Sequence, residues 1–509
     1  MTRLLRTLLL AAAALIAFAA APSAASAGSK QFSIFEDDAV LLGLTDKDPD
    51  KAMAEVKYLG GDVVRVFVVW SRVSPQKKSR TVPAGFDPAN PNDPQYDWAI
   101  YDRFVALARK HDLKVMLTLS GEIPFWASRE PDRCPHHLGG YDNLALSCMW
   151  KPDRNLFEQF SQAVATRYKG LVEYYSLWNE PNLEHYLYPQ FSRSKRGTVD
   201  LGGKQLRELW SSGYRGLTRM DPAVKDKVLF GETAAISSPV DTLYAAMCLD
   251  EDGKPFRGWK KKAQGCSKPS KLPIGGLAVH PYNKDAVGTV FTRSFTEDSM
   301  AMAYTNRATR VLRQGEKYGR IPRGRGVYIT EFGFQSKPPD KKGLSLNGQA
   351  KAMNESDRLF FGDRRIRAVA QFELYDVPEL KDEDVYNTGL RTLAGQLKPS
   401  WGAYRMPLVV TRLSADQVEV WGQVRPSNVR TQVALFAARK GGRFARIGSP
   451  RTNASGYFKV RVRRGQAARL RYRTTWASPN GETFPSRTAA AGKKIGYLKF
   501  KAKKKKTKR

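Results

Sequence analysis

The region between residues 32 and 376 repeats one hydrophobic pattern eight times: a short apolar run, a polar loop and an amphipathic helical stretch. A continuously apolar run such as Val63–Val69 is typical of a parallel strand that is covered on both faces. Helical spacing is clearest after Asp97, where one predicted helix face carries Tyr101, Phe104, Val105 and Ala108. The eight predicted strands are Phe32–Phe35, Val63–Val69, Lys114–Leu119, Glu173–Trp178, Lys227–Gly231, Gly275–Val279, Gly326–Thr330 and Arg367–Leu374.

Strands that alternate with helices predict an α/β domain with a parallel sheet, and eight such units predict a closed (β/α)8 TIM barrel over residues 28–405. An open, doubly wound sheet is the alternative, because a strand miscount would change the architecture. Neither a glycine-rich dinucleotide fingerprint nor a P-loop follows any of the eight runs, which weakens that alternative.

The pattern changes after Trp401, where alternation with a period of two replaces helical spacing. Turn sequences at 441–442 and 453–456 separate these alternating runs, which include Val418–Val420, Phe458–Val462 and Leu470–Tyr472. Short strands at this spacing predict a small all-β domain, an Ig-like sandwich, over residues 406–490. A Lys-rich disordered tail is predicted for residues 491–509.

The N-terminus has the organisation of a secretory signal. Arg3 and Arg6 precede an apolar run, and small residues at 25–27 offer a cleavage site before Gly28. We therefore predict a signal peptide over residues 1–27 and a secreted, extracellular protein, with attachment to the cell surface as a further option. An uncleaved anchor is the alternative, but the run is short for a bilayer, and we expect no transmembrane segment in the mature chain.

The chain contains four cysteines, at positions 134, 148, 248 and 266. Four cysteines allow three connectivities. We favour the local pairs Cys134 with Cys148 and Cys248 with Cys266, because each couple lies in its own loop containing Gly and Pro. Disulfides fit an oxidising compartment, and without a C-x-x-C arrangement we expect no zinc or redox role.

The formal net charge is +35, and residues 493–509 contribute nine Lys and one Arg without an acidic residue. A solvated, disordered tail is the simplest interpretation. Adhesion to an anionic cell-envelope polymer or a membrane surface is the functional alternative. Nucleic-acid binding is the least favoured reading, since few aromatic residues interrupt the tail and the protein is predicted to be exported.

Two carboxylates stand where strands of a barrel would end. Glu180 follows the fourth predicted strand and Glu331 follows the seventh. The carboxyl ends of barrel strands converge on one face, which is where the active sites of this fold lie. Glycoside hydrolysis needs such a pair, because one carboxylic acid protonates the leaving oxygen while a second carboxylate attacks or stabilises the anomeric carbon.

The segment 178–182, Trp-Asn-Glu-Pro-Asn, resembles the acid/base motif of clan A retaining glycoside hydrolases, and 330–333, Thr-Glu-Phe-Gly, resembles their nucleophile motif. The resemblance covers residues 30–405. It implies that Glu180 is the acid/base and Glu331 the nucleophile. It also implies substrate contacts or support of the nucleophile from four further residues, Asn179, Arg65, His280 and Tyr282. In the clan, the Asn contacts the sugar 2-hydroxyl and the Arg supports the charge of the nucleophile. His280 and Tyr282 match a His-x-Tyr motif whose Tyr donates a hydrogen bond to the nucleophile.

The chain departs from the cellulase-like family 5 at two strands. The third strand ends at 117–121 without the usual His, and the eighth, at 371–375, lacks the Trp that stacks on the sugar. Phe372 and Tyr375 are candidate substitutes. The sequence around Glu180, Leu-Trp-Asn-Glu-Pro-Asn-Leu, is more similar to that of β-xylosidase-like family 39 relatives. Among the aromatic residues that follow strands two to four, we assign Trp126 to the substrate groove, because sugar rings pack against aromatic faces.

Six further carboxylates lie near predicted strand ends and are candidate substrate contacts or salt-bridge partners: Glu36, Asp37, Asp38, Glu122, Glu232 and Glu373. Glu36 and Glu122 are expected to line the cleft. We assign no metal to His136-His137, since adjacent imidazoles cannot easily ligate one ion, and the reaction needs neither metal nor cofactor.

The sequence thus predicts a secreted retaining β-glycoside hydrolase that cleaves O-glycosidic bonds of a carbohydrate by double displacement. Two alternatives stay open. One is a non-catalytic glycan-binding protein on the same barrel. The other is a cell-surface adhesion protein in which the β-domain and tail have the main role.

Overall fold

A computed structural model describes residues 31–135, 148–294, 296–378, 386–426 and 430–500. Its eight parallel strands close into a barrel in sequence order, because β1 pairs with both β2 and β8. The predicted closed barrel is therefore confirmed, and the open sheet is wrong. The strands are β1 Phe32–Glu36, β2 Val63–Val69, β3 Lys114–Ser120, β4 Tyr174–Leu177, β5 Val228–Ala234, β6 Gly276–His280, β7 Gly326–Ile329 and β8 Ile366–Phe372.

Helices connect these strands on the outside of the barrel. Several begin at a side chain that accepts backbone N–H groups, such as Asp48, Asp153 and Ser345. The helices are α1 Asp38–Leu41, α2 Pro49–Leu59, α3 Trp70–Val73, α4 Ala99–Lys110, α5 Arg154–Arg167, α6 Leu201–Met220, α7 Pro239–Ala246, α8 Gly258–Ala263, α9 Asn306–Lys317, α10 Leu346–Phe361 and α11 Pro399–Arg405. Short 3-10 turns occur at 125–127, 131–133, 222–224, 284–286, 302–304 and 467–469, and small two-stranded sheets at 191–200 and 336–345.

The barrel interior changes character along the strands. Its lower layer is apolar and contains Ile34, Val63, Met116, Leu229 and Ala368. Two residues further along the same strands, on the same side of the sheet, stand Glu36, Arg65 and Thr118, all of them fully buried. The change from apolar to polar side chains within one strand places a charged layer at the carboxyl ends of the strands.

The C-terminal part is an all-β domain, as predicted. Its strands are β9 Leu408–Arg412, β10 Gln417–Gln423, β11 Ala434–Ala438, β12 Ala445–Gly448, β13 Tyr457–Arg463, β14 Arg471–Ala477, β15 Thr483–Pro485 and β16 Ala489–Gly492. They follow one order, β12-β11-β14-β16-β9-β10-β13, with β15 beside β14. The short β16 joins the two halves, pairing parallel with β9 and antiparallel with β14. The resulting curled sheet encloses its own core, which includes Val420, Phe458 and Tyr472.

This β-domain packs against α10 and the lower end of the barrel, away from the charged layer. Phe361 at the end of α10 lies 5.3 Å from Trp421 and 4.6 Å from Tyr457, measured between ring centroids. Beside them the guanidinium of Arg425 lies 3.4 Å from the carboxylate of Asp357. The two domains therefore share an apolar and an ionic contact.

Both predicted disulfides are present, Cys134 to Cys148 and Cys248 to Cys266. The predicted tail differs from expectation, because residues 493–500 pack against the barrel. Ile495 and Tyr497 contact its core, and the Tyr497 hydroxyl lies 3.3 Å from Asp363. The signal peptide, the two adjacent histidines and residues 501–509 lie outside the described residues. Within the described ranges, no helix combines the length and the apolarity needed to cross a membrane.

Candidate active site

Glu180 and Glu331 meet above the polar layer of the barrel. They follow β4 and β7, and their side chains are each 14% exposed. A carboxylate oxygen of each residue and a ring nitrogen of His280 all lie within 4.8 Å of one another. The closed barrel thus brings together two carboxylates that stand 151 positions apart in the chain.

Glu331 has a neutral donor and two cations around it. The hydroxyl of Tyr282 donates to one oxygen at 3.1 Å. Around the other oxygen, Arg65 Nη1 lies at 3.6 Å and His280 Nδ1 at 3.5 Å. Burial has the largest effect and raises the pKa of Glu331, and the nearby charge of Glu180 raises it further. His280, Arg65 and the hydrogen bond from Tyr282 act in the opposite direction. Tyr282, Arg65 and His280 favour the anionic form of Glu331, whereas burial and the charge of Glu180 oppose it, and the net shift of its pKa is upward.

Arg65 stands beneath the pair as a fully buried cation. Its guanidinium contacts Glu36 through Nη1 and lies 3.1 Å from Glu232 through Nη2. Its Nε donates to the hydroxyl of Thr118 at 2.9 Å. Burial disfavours the charged form, but the surrounding carboxylates, Glu36 first, raise the pKa of Arg65. The expectation that Arg65 supports the nucleophile agrees with this position, and Arg65 anchors two further acids as well.

Glu232, near the end of β5, contacts both Arg65 and His280. One of its oxygens lies 3.1 Å from Arg65, 2.6 Å from His280 Nε2 and 2.7 Å from the hydroxyl of Thr330. Although burial raises the pKa of a carboxyl, Arg65 and His280 lower that of Glu232 to about 2. Glu232 is therefore a permanent anion that holds a guanidinium and an imidazole in fixed positions.

His280 faces carboxylates from both ring nitrogens. Nδ1 lies 3.0 Å from Glu180, and Nε2 lies 2.6 Å from Glu232. Burial lowers the pKa of His280, but Glu331, Glu180 and Glu232 together raise it to about 10. The ring is therefore an imidazolium near neutral pH.

The backbone at the strand ends is held in an unusual conformation. Trp178, Glu180 and Glu232 have positive φ values of 74°, 38° and 47°. The backbone N–H of Glu180 donates to the carbonyl of Glu232 at 2.9 Å, which ties the two strand ends together. Positive φ at non-glycine residues costs free energy and is often found at functional sites, where neighbouring contacts maintain it.

Asn179 follows β4 and directly precedes Glu180 in the chain. Its backbone N–H donates to the hydroxyl of Ser120 at 3.1 Å. Its side chain is buried, and within the described ranges the amide oxygen Oδ1 has no hydrogen-bond partner. A buried amide oxygen without a partner is suited to accept a hydrogen bond from a bound hydroxyl group.

Trp126 is not brought to this site. Its side chain is only 3% exposed, its ring packs against Trp70 and Phe86, and its indole N–H donates to the carbonyl of Pro75. It is therefore a core residue, and its assignment to the substrate groove is wrong. Of the two candidates on the eighth strand, Phe372 lies near the pair, because its ring centroid is 6.3 Å from that of Tyr282.

Tyr375 lies instead between two cations, Lys47 and Arg391, outside the carboxylate cluster. Glu36, expected to line the cleft, is fully buried and pairs with Arg65. Glu122 is partly exposed near Ser71, with a pKa that burial raises.

Sequence reasoning did not foresee the roles of Glu232 and Thr330. Glu232 was one of six acids near strand ends, and no local motif distinguished it. Its position at the end of a fully buried strand, VLFGETA, was the available signal. A carboxylate in such a strand needs buried cations as partners.

No family model matches this chain. One curated relative is a chloroplastic protein of Oryza sativa subsp. japonica named beta-glucosidase-like SFR2, with 28% identity over 139 residues. That match covers 27% of this chain and 18% of the relative, so this chain spans a small part of the relative's length.

Among solved structures, the glucosidase from Croceicoccus marinus has a TM-score of 0.51 at 13% identity, over 86% of this chain and 93% of that one. A family 39 glycoside hydrolase from Bacteroides cellulosilyticus WH2 has a TM-score of 0.47 at 14% identity, over 86% and 80%. At 13% identity the likeness to the Croceicoccus marinus structure establishes the fold alone. Chemistry has to be argued from the site itself.

Proposed function

We propose that the chain is a secreted retaining β-glycoside hydrolase that cleaves O-glycosidic bonds of an oligo- or polysaccharide by double displacement. The observation that carries this proposal is the pair Glu180 and Glu331, whose nearest carboxylate oxygens and His280 lie within 4.8 Å of one another. Retaining glycosidases hold their carboxyl groups about 5–5.5 Å apart, whereas inverting ones need about 6.5–9.5 Å to admit a water molecule. The 4.8 Å limit applies to one oxygen of each group and is compatible with the retaining spacing, so the configuration of the product is the decisive test of retention.

In the first step Glu331 attacks the anomeric carbon and Glu180 donates its proton to the leaving oxygen. Two carboxylates this close favour a state in which one of them keeps a proton. We assign the negative charge to Glu331, which the hydroxyl of Tyr282 and the guanidinium of Arg65 approach. The proposed mechanism assigns the proton to Glu180 at the start of this step.

In the second step Glu180 is an anion, and it removes a proton from the water that attacks the glycosyl ester of Glu331. The ester bond to the sugar has by then removed the charge of Glu331. Glu180 is therefore the one charged carboxylate of the pair that still faces the imidazolium of His280. Nδ1 of His280, 3.0 Å from Glu180, stabilises that anion while it acts as the base. One imidazolium can therefore serve the two carboxylates in turn.

Substrate recognition is proposed for Asn179 and Phe372. The unpartnered amide oxygen of Asn179 can accept a hydrogen bond from the sugar 2-hydroxyl, and the half-buried ring of Phe372 offers an apolar face beside Tyr282. The names of the plant relative and of the Croceicoccus marinus structure make β-glucosides the first substrates to test.

Export is part of the same proposal. The basic and apolar N-terminus has the order of a signal peptide, and two disulfides suit an oxidising compartment. We propose residues 28–405 as the catalytic domain, residues 406–490 as the β-domain and an anionic envelope polymer as a partner. No cofactor enters the proposed reaction.

The test is turnover of nitrophenyl β-glycosides by the mature protein and its Glu331→Gln variant, with the configuration of the first product read by proton NMR. We expect a β-configured product, and a loss of turnover on the order of 10⁴-fold or more in the variant. Near-normal turnover by the variant, or an α-configured first product, would contradict the assignment.

Glu180→Gln is the matched variant at the other carboxylate. It should lose much less activity on a dinitrophenyl glycoside, whose leaving group needs no proton, than on an alkyl glycoside. Equal losses on both substrates would remove Glu180 from the role of acid. Glycan binding without turnover on any substrate would favour the non-catalytic alternative.

A further inference from the structure

The β-domain contains a long stretch of sequence without a single carboxylate. Between Glu419 and Glu482 there are twelve Arg and two Lys, and neither Asp nor Glu. A solvated surface normally mixes both signs of charge, because like charges repel one another. Such a one-sided segment indicates an anionic partner.

Four of these arginines lie on one face of the sheet. Directly opposite residues of antiparallel strands share a face. Phe436 on β11 stands opposite both Arg446 on β12 and Arg473 on β14. The same register places Arg471 opposite Ala438, and Arg451 stands opposite Gln432 in an isolated bridge. We call Arg446, Arg451, Arg471 and Arg473, together with Phe436 and Phe444, the basic face.

The opposite side of the same strands forms the core of the β-domain. Leu435, Tyr472 and Thr474 alternate with the residues of the basic face and are buried. Arg446 and Arg451 are exposed, while Arg471 and Arg473 are half-buried. The cationic side chains are therefore directed outward by the period-two geometry of the strands.

No carboxylate in the described part of the chain neutralises the basic face. Across the described ranges, none of its four arginines has an ion-pair partner, whereas the buried Arg425 of the same domain pairs with Asp357. The guanidinium of Arg473 lies 4.6 Å from the ring centroid of Phe444 and 6.0 Å from that of Phe436. Its Nε is buried without a hydrogen-bond partner in the described part of the chain. Contact with aromatic rings restricts the positions of a guanidinium, which leaves it better prepared to bind an anionic group.

We propose that the basic face binds an acidic polysaccharide, a glycan with repeated carboxylate or sulfate groups. Guanidinium groups pair with such anions in a bidentate manner, and the half-buried phenylalanine rings offer apolar area to sugar rings. The choice of a glycan over a nucleic acid rests on the proposed glycosidase function and on the disulfides, which place the chain outside a reducing compartment. The β-domain would hold the barrel on an anionic substrate or envelope polymer.

The test measures binding of the full mature chain, carrying Glu331→Gln, to polygalacturonate, dextran sulfate, neutral dextran and a DNA duplex. We expect binding to one or both acidic polysaccharides and none to dextran. Affinity should fall as salt rises from about 50 to about 300 mM, because exposed charges are screened. The two acidic probes distinguish a carboxylate from a sulfate ligand.

Arg446→Gln with Arg451→Gln changes only exposed residues of the basic face and should weaken binding about tenfold. Lys261→Gln with Lys262→Gln is the matched control, since it removes the same charge from exposed residues of the barrel. The control keeps the Lys-rich tail, as the double arginine variant does. We expect it to bind like the parent.

Equal weakening by both pairs of substitutions would overturn the proposal, because it would mean attraction by net charge alone. Tighter binding to DNA than to either acidic polysaccharide would overturn it in favour of a nucleic acid. In a background with Glu331 intact, the Arg446 and Arg451 variant should keep full turnover on small aryl glycosides and an unchanged Tm. Failure of the proposed hydrolysis would thus appear in the turnover assay, and failure of this inference in the binding assay.

Discussion

The top of the barrel and the β-domain use charge in opposite ways. At the top of the barrel, Arg65 and His280 are fully buried, and carboxylates contact both of them. In the β-domain, the basic face is directed to solvent, and among the described residues no carboxylate contacts it. The first arrangement fixes the positions and protonation states of a few groups, whereas the second leaves many charges available to a partner.

The difference follows from the cost of burial. A buried ion must be paired and hydrogen-bonded, so the upper layer of the barrel is a closed network whose members depend on one another. An exposed arginine retains most of its hydration, so the folded domain tolerates it without a partner. Loss of one charge should therefore matter for folding in the barrel and for binding in the β-domain.

The largest effect is expected from Arg65→Met, compared with Arg446→Met on the basic face. Arg65→Met leaves Glu36 and Glu232 buried without their shared cation, which should lower the free energy of unfolding by about 3–5 kcal/mol. Arg446→Met should change it by less than about 0.5 kcal/mol. Urea unfolding of both variants checks the contrast, and equal losses would mean that the barrel network does not stabilise the fold.

A smaller effect is expected from Val420→Ala in the core of the β-domain. Val420 is fully buried, and the loss of its two methyl groups should cost about 2 kcal/mol, since the β-domain depends on apolar packing. Thr411→Ala on neighbouring β9 is a milder comparison in the same sheet. If unfolding of the Val420 variant matched the parent, the β-domain would not unfold together with the barrel.

The last and smallest expected effect is a shift in the pH dependence of Tm in Glu232→Gln, taken relative to that variant's own Tm at neutral pH, which the loss of a buried anion should also lower. Burial lowers the pKa of His280, but the three carboxylates around it raise that pKa in the folded protein from the ordinary value near 6.5 to about 10. Its stabilising contribution is therefore complete below about 6.5 and is lost as pH rises through about 10. Replacing Glu232 removes one of the anions that raise this pKa, so the alkaline loss should begin at least about one pH unit lower.

The measurement is Tm for parent and variant between about pH 6 and about pH 10.5, taken as a difference so that titration of lysines and tyrosines cancels. His280→Gln is the control, because it should flatten the part of the curve that belongs to the imidazolium. Parallel curves for parent and Glu232→Gln would show that Glu232 does not hold the proton on His280.

The sequence by itself determined the architecture and the two central carboxylates. Hydrophobic periods of 3.6 and 2 are local properties, so the eight strands, the helices between them and the all-β end could be read from neighbouring residues. The strand ends then placed Glu180 and Glu331 on one face, and loop composition favoured the correct disulfide pairs.

Only the tertiary structure decided which side chains meet. Glu232 contacts Arg65, His280 and Thr330 because β5 lies across the closed barrel from β2 and beside β6, a relation that no local pattern encodes. Trp126 is buried because its ring packs against Trp70 and Phe86, although its position after the third strand made it a candidate for the substrate groove. Contacts between distant segments depend on closure of the sheet and on packing, and these are properties of the whole chain.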